Sequence, residues 1–177
     1  SFFAKLSWAS HPENIEGMAI YLSDRLPREL EALKAMKTNS NEPILMEDLL
    51  KFDQMHYGGE NAMIAAIASM KVSKDSKILD IGSGYGGPSR YVSWKTGAFV
   101  TALELQPEIS VEAAKLTQIV GQTPTTGNGS PLIDRVDHQV GNVINWISEH
   151  KYDGFMSMLA FLHVDNKQEL FTAIGRT

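Results

Sequence analysis

A short apolar run that opens into a cluster of glycines constrains the fold of this chain more than any other feature. Residues 77–81 read Lys-Ile-Leu-Asp-Ile, and residues 82–87 read Gly-Ser-Gly-Tyr-Gly-Gly. The apolar run is typical of a strand, and glycine permits backbone conformations that other residues avoid. The cluster therefore suits a tight turn, and we predict a strand–turn–helix unit at this point.

Strand and helix patterns alternate along the chain from this unit onward. Further strands are predicted over residues 99–104, 136–140 and 152–158, and helices over 88–95, 109–120 and 167–174, with a surface loop over 122–131. Such alternation predicts an α/β fold, namely a Rossmann-like, doubly wound parallel sheet with helices on both faces. Ligands of such sheets bind outside the carboxyl ends of the strands, where the glycine cluster lies.

The first 52 residues are predicted to form an N-terminal helical segment, which precedes one Rossmann-like domain over residues 53–177. Within and just after this segment, helices are expected over 16–22, around Pro27, which lies in the first turn of the second helix, over 46–52 and over 60–70, with a loop over 37–43. Leu26, Leu30 and Leu33 recur on one face of the second of these helices. Met63, Ile67 and Met70 are in register in the last one.

Composition excludes several other classes of protein. Of the 177 residues, 43% are hydrophobic and 21% are charged, which is the balance of a globular domain with a packed core. The net charge of -5 and the absence of a long basic run disfavour sequence-independent binding of nucleic acid. The sequence has no cysteine and no apolar stretch near the ~18 residues of a membrane helix. We expect a soluble, cytoplasmic domain without nucleic-acid or membrane partners.

The glycine cluster matches the pattern G-x-G-x-x-G, and Glu104 lies at about the distance expected for a ribose-binding acid. A dinucleotide would place its pyrophosphate on this turn, where backbone amides favour negative charge, and Asp80 would oppose that anion. S-adenosylmethionine has no phosphate but carries a sulfonium and an ammonium group, which a carboxylate attracts. Charge matching therefore favours S-adenosylmethionine over a nicotinamide cofactor. A glycine turn without any ligand remains a third interpretation.

Residues 78–91 read Ile-Leu-Asp-Ile-Gly-Ser-Gly-Tyr-Gly-Gly-Pro-Ser-Arg-Tyr, and this segment resembles motif I of the class I S-adenosylmethionine-dependent methyltransferases. Residues 53–62, 101–107 and 160–167 are similar to the branch that methylates small amines, such as sarcosine/dimethylglycine and phosphoethanolamine N-methyltransferases. The similarity runs from about residue 45 to residue 177. It implies the class I methyltransferase fold, S-adenosyl-L-methionine as cofactor, and N-methylation of a small amine as the activity.

The resemblance also implies which residues bind the two polar parts of the cofactor. Asp80, Gly82, Ser83 and Gly84 would line its methionine part. Glu104, at the end of the second predicted strand, would hold the ribose. The alternative for Asp80 is that it caps the following turn. The alternative for Glu104 is that it is an ordinary solvated residue at the end of a strand.

The adenine site and its cover are implied in the same way. Leu105 would lie against the adenine, and Asn142 and Val143 occupy the place where the family has an aspartate and an apolar residue. An asparagine carbonyl can still accept a hydrogen bond from the adenine amino group. Gln54 and His56 fall in the segment that closes over the cofactor in the relatives, although a helix cap and turn is the alternative there.

His163 is the predicted catalytic residue, because it follows the fourth predicted strand and matches a histidine near the substrate of the phosphoethanolamine branch. A protonated alkylamine must lose a proton before it attacks, and an imidazole of reference pKa ~6.5 can accept it. Capping of the helix that starts near Asp165 is the alternative role. The spacing of the five histidines does not suggest a ligand cluster, so no metal site is expected.

Two features leave the activity open. The relatives carry a polar pair that ends in aspartate where this chain has Met158 and Leu159, which admits an apolar acceptor such as a sterol or a phenol. The family sheet has seven strands, whereas only four are predicted here, so we expect a fragment whose missing strands come from a further segment or from a second copy of the chain. A non-catalytic S-adenosylmethionine-binding module is the remaining alternative.

Overall fold

The computed structural model describes residues 25–40, 42–53, 56–148 and 150–176, and the helix expected over 16–22 lies outside them. The chain forms six helices and four strands in these ranges, in the order α1 (Arg25–Ser40), α2 (Met46–Asp53), α3 (Gly59–Met70), β1 (Lys77–Ile81), α4 (Gly87–Thr96), β2 (Phe99–Glu104), α5 (Pro107–Ile119), β3 (Val136–Val140), β4 (Gly154–Met156) and α6 (Lys167–Ile174). Single 3₁₀ turns lie at Leu132–Asp134 and Phe161–His163.

The four strands form one parallel sheet in the order β3-β2-β1-β4. Strand β1 lies inside the sheet, with Asp80 opposite Ala102 of β2 on one side and Met156 of β4 on the other. Strands that are consecutive in the sequence are joined by connections that contain a helix or a long loop. The predicted α/β fold with a Rossmann-like sheet is therefore confirmed for the described residues.

The two faces of the sheet carry separate apolar cores, as the alternation of side chains along a strand requires. Ile78, Val100 and Ala102 face one core, which also contains Met46 and Leu49 of α2. The other core contains six buried side chains, Leu79, Ile81, Leu103, Val143, Leu170 and Ile174. Helices on both faces thus shield the two central strands from water.

Helix α2 packs into the same core as the sheet, since Met46 and Leu49 are fully buried there. Leu30 and Leu33 of α1 contact this core as partly buried residues, which agrees with the predicted apolar face. Met63 of α3 is fully buried. The boundary at residue 52 stays a prediction.

The structure differs from the predicted elements at three places. Helix α1 continues to Ser40, although a loop was predicted from residue 37, because no proline or glycine interrupts it before Pro43. Strand β4 covers only Gly154–Met156, since β1 pairs with it over three residues. The loop at 122–131 is anchored, because the Thr123 hydroxyl accepts a hydrogen bond from the Met46 amide at 3.0 Å.

None of the described helices is both long enough and apolar enough to cross a lipid bilayer.

Candidate functional site

A cavity of about 260 Å³ lies at the carboxyl ends of β1, β2 and β4. The predicted site residues that line it are His56, Asp80, Gly82, Ser83, Gly84, Glu104, Leu105, Asn142, Val143 and His163. Gln54 lies outside the described residues. The parallel topology brings most of these positions together, because all except His56, which follows α2, lie at or after the end of a strand at the same edge of the sheet.

The glycine turn forms the floor of the cavity and is tied to the neighbouring strand. The Gly82 and Ser83 amides donate hydrogen bonds to the Leu103 carbonyl at 2.8 and 3.1 Å. Gly82 has a φ of 70°, and a Cβ built on it would lie 2.2 Å from the Cβ of Ala160. Only glycine satisfies both conditions, so this position is fixed by backbone conformation and by space.

Asp80 is the most buried acid of the cavity wall, with 1% of its surface exposed. The Ser89 hydroxyl donates to its Oδ2 at 2.6 Å, whereas its Oδ1 accepts no hydrogen bond from the described part of the chain. Burial raises the pKa of Asp80 from 3.8 to about 7, and the charge of Glu104 acts in the same direction. A buried carboxylate oxygen without a partner is costly unless a ligand satisfies it.

Glu104 ends β2 and is held by two backbone amides. Its Oε2 accepts from the Gly84 amide at 2.9 Å, and its Oε1 accepts from the Gln106 amide at 3.0 Å. Each carboxylate oxygen can accept a further hydrogen bond, so the group can still receive two hydroxyls. The Gly84 amide of the glycine turn therefore helps to position the Glu104 carboxylate.

The remaining cavity wall beside Glu104 is largely apolar. Ile109 and Val143 are buried there, and Leu105 is exposed toward the opening. The side-chain Oδ1 of Asn142 accepts a hydrogen bond from the Ile144 amide at 3.0 Å. The acceptor that was expected to bind an adenine amino group therefore also stabilises the loop to which Asn142 belongs. A flat, apolar ligand group fits this part of the cavity.

Two histidines, His56 and His163, also line the cavity. His163 belongs to the 3₁₀ turn Phe161–His163, and burial, together with the charge of Lys167, lowers the pKa of its imidazole. The neutral form therefore predominates at pH 7, which is the form that accepts a proton. His56 follows α2, and its Nδ1 lies 3.1 Å from the Tyr57 carbonyl oxygen.

Residues 158–161 form an apolar wall between β4 and His163. Leu159 has a φ of 66°, a left-handed conformation that is unfavourable for a leucine. The Phe161 ring packs edge-on against Phe171 of α6 at a centroid distance of 5.8 Å, which supports this wall from behind. The structure places Met158 and Leu159 at the cavity, as their sequence position suggested.

The sequence did not reveal a buried ion pair under the cavity. The guanidinium of Arg90 in α4 contacts the Asp53 carboxylate with Nε–Oδ2 and Nη2–Oδ1 distances of 3.0 and 2.5 Å. A charged residue inside the otherwise uncharged run 88–94 was the available signal. Its partner lies 37 residues away, and no local pattern identifies such a pairing.

The described residues contain no group of three or more side chains that could hold a metal ion.

Solved structures share this architecture. A protein from Galdieria sulphuraria assigned as a sarcosine dimethylglycine methyltransferase superposes with a TM-score of 0.57 over 67% of this chain and 42% of its own, at 24% identity. An S-adenosylmethionine-dependent methyltransferase from Thiobacillus denitrificans, solved with S-adenosyl-L-homocysteine, gives a TM-score of 0.56 over 76% of this chain and 52% of its own, at 16% identity. This chain has the class I S-adenosylmethionine-dependent methyltransferase fold.

Curated proteins with similar sequences include two plant methyltransferases. A chloroplastic protein of Oryza sativa subsp. japonica assigned as a tocopherol O-methyltransferase is 26% identical over 118 residues, which are 66% of this chain and 30% of that protein. The 24-methylenesterol C-methyltransferase 3 of Arabidopsis thaliana is 31% identical over 113 residues, which are 63% and 28% of the two chains. The matched part of this chain thus spans under a third of the length of these relatives. No protein-family model matches it.

Proposed function

We propose that this chain binds S-adenosyl-L-methionine in the cavity beside the glycine turn and takes part in methyl transfer to a small molecule. The unpartnered, buried Oδ1 of Asp80 carries the proposal. A cation beside this oxygen would satisfy it and favour its ionised form, whereas a diphosphate would be repelled. Glu104 offers free lone pairs for two ribose hydroxyls, and Leu105, Ile109 and Val143 provide an apolar site for adenine.

In methyl transfer, the protein mainly holds the methyl donor and the acceptor in contact and excludes water from the site. When bound, S-adenosylmethionine supplies a methyl group on a positively charged sulfur that is already an activated leaving group. The apolar wall at 158–161 faces the same cavity as Asp80 and therefore suits the acceptor. His163, neutral at pH 7, can take the proton that an ammonium acceptor must release before its nitrogen attacks.

A small amine is the first candidate acceptor, and His163 is the residue that supports it. Replacing His163 by alanine is expected to lower turnover of an amine by ~100-fold or more, because general-base catalysis contributes effects of that size. The affinity for S-adenosylhomocysteine should change less than threefold. The exposed His150, which does not line the cavity, provides the control variant His150→Ala. Equal turnover in His163→Ala and the parent would remove His163 from the mechanism.

An apolar acceptor of sterol or phenol type is the second candidate, and Met158 and Leu159 favour it. Introducing a carboxylate with Leu159→Asp is expected to lower turnover of a phenol or sterol at least tenfold and to raise that of a cationic amine. The left-handed backbone at this position tolerates aspartate better than leucine, so the variant should fold. Methyl release from a labelled cofactor measures both activities. If Leu159→Asp changed the turnover of both acceptor classes in the same direction, this result would argue against a contact between residue 159 and the substrate.

Calorimetric titration of the chain tests the proposal directly. Micromolar binding of S-adenosylhomocysteine without binding of NAD would support it, and binding of NAD alone would overturn it. A methyl-release assay over amines, sterols and phenols then separates an enzyme from a non-catalytic binding module. Binding without release to any acceptor would favour the module.

The same proposal includes the expected partners and location of the chain. These are a small-molecule acceptor, no nucleic acid or membrane, a cytoplasmic location and assembly with a second copy of the chain. Light scattering reports the assembly, and fractionation of the source cells reports the location.

A further inference from the structure

Arg90 of α4 is completely buried, and all three of its nitrogens are engaged. Besides the two contacts with Asp53, Nη2 donates to the Tyr85 carbonyl at 2.6 Å. Nη1 donates to the Ala113 carbonyl at 3.1 Å and to the Thr117 hydroxyl at 3.0 Å. One guanidinium therefore joins the end of α2, the glycine turn and α5.

Two of these partners belong to different walls of the cavity. Tyr85 lies in the glycine turn, and Asp53 is the last residue of α2, three positions before His56. All three residues line the cavity. The planar guanidinium of an arginine can donate two parallel hydrogen bonds to one carboxylate while a further N–H donates to another group. These bonds fix the carboxylate and the other group relative to each other.

The backbone at Asp53 is fixed by a second, independent contact. A Cβ built on Gly87, the first residue of α4, would lie 1.9 Å from the Asp53 carbonyl oxygen. The end of α2 therefore touches the start of α4 directly, with no room for a side chain between them. Arg90 reaches across this contact, so the ion pair and the backbone approach position the same segment.

A buried ion pair is weak evidence for a role in stability, because well-packed apolar residues of similar volume stabilise as much or more. We propose that Arg90 is a positioning residue, which holds the glycine turn through Tyr85 and the wall that carries His56 through Asp53 in the arrangement that binds the cofactor. The inference rests on the proposed function, since it concerns the same cavity.

The double variant Asp53→Leu/Arg90→Met separates positioning from stability. Each single change leaves one buried charge without its partner and is expected to lower Tm by about 10 °C. The double variant removes both charges and should recover most of that loss. Its affinity for S-adenosylhomocysteine, measured by calorimetry well below Tm, should remain at least tenfold weaker than that of the parent. Affinity within twofold of the parent would overturn the inference.

The control variant is Thr117→Val, which removes an Arg90 partner that does not line the cavity. It should lower Tm without changing the affinity. Should the double variant fail to fold, Arg90→Lys keeps the charge but loses the fork, and the same loss of affinity is expected.

A readout without any ligand keeps the inference separate from the proposed function. In the ligand-free double variant, the amide resonances of residues 83–86 and the ring resonances of His56 should both shift, whereas those of α6, which packs on the opposite face of the sheet, should not. Parental resonances at both places would overturn the inference whatever the chain binds. Failure of the parent to bind S-adenosylhomocysteine, with the shifts observed, would overturn the proposed function and the cofactor part of the inference while leaving the positional coupling.

Discussion

Asp80→Asn is expected to stabilise the ligand-free chain at pH 8 and to weaken its affinity for S-adenosylmethionine at least tenfold. Burial raises the pKa of Asp80 from 3.8 to about 7, so the folded state binds a proton that the unfolded state has released between these values. The stability of the parent therefore falls as the pH rises through this window, by at most ~4 kcal/mol. Asparagine keeps an acceptor for Ser89 and carries no charge.

Thermal unfolding between pH 4 and pH 8 measures the first effect. The gain in Tm should reach ~10 °C at pH 8 and vanish near pH 4, since both side chains are then uncharged. Calorimetry measures the second effect, because affinity of the parent for the cationic cofactor should rise from pH 5 to pH 8 and that of the variant should not. The exposed Asp75 gives the control Asp75→Asn, which should alter neither quantity. Equal affinities in parent and variant would remove Asp80 from the site.

Gly82→Ala is expected to destabilise the chain by about 3 kcal/mol and to abolish measurable binding of S-adenosylhomocysteine. An alanine at a φ of 70° is strained, and its Cβ would overlap that of Ala160, which lies 2.2 Å away. Relief of the overlap requires Ala160 to move. The apolar wall at 158–161 and the following His163 would move with it, so the cavity loses its shape. Chemical denaturation and calorimetry measure the two effects.

The comparison with Gly129→Ala isolates the overlap from the backbone strain. Gly129 has a φ of 74°, and nothing lies within 4 Å of a Cβ built there, so its variant carries the strain alone. It should lose about 1 kcal/mol and keep full affinity, because Gly129 is not part of the cavity wall. If Gly82→Ala and Gly129→Ala lose the same stability and bind equally well, the contact with Ala160 has no role.

The glycine turn and its acids could be predicted because their signals are local. Asp80 and the glycines are neighbours in sequence, and a strand that ends in a turn must place them at one edge of a parallel sheet. Glu104 and Asn142 follow from the same rule, since each comes at or just after the end of a strand. The periodicity of α5 was equally local, and Ile109, Ala113 and Leu116 are all buried.

The details of hydrogen bonding could not be predicted. The side-chain Oδ1 of Asn142, which was expected to bind an adenine amino group, also accepts the Ile144 amide, because the loop conformation decides which further donors reach it. The carboxylate oxygens of Glu104, which were expected to hold a ribose, also accept hydrogen bonds from the backbone amides of Gly84 and Gln106. Thr123 and Thr125, which belong to a loop of polar composition, are buried because the loop packs against α2 and its own turn.

The sequence by itself determined the alternation of strands and helices, the turn of glycines and the sign of the charge beside it, because these depend on neighbouring residues and on the periods of strand and helix. Only the tertiary structure decided that Arg90 meets Asp53, that Ala160 closes over Gly82 and that Leu159 takes a left-handed backbone. These contacts join residues that are distant along the chain. Their formation depends on how the helices pack on the sheet, which no short segment specifies.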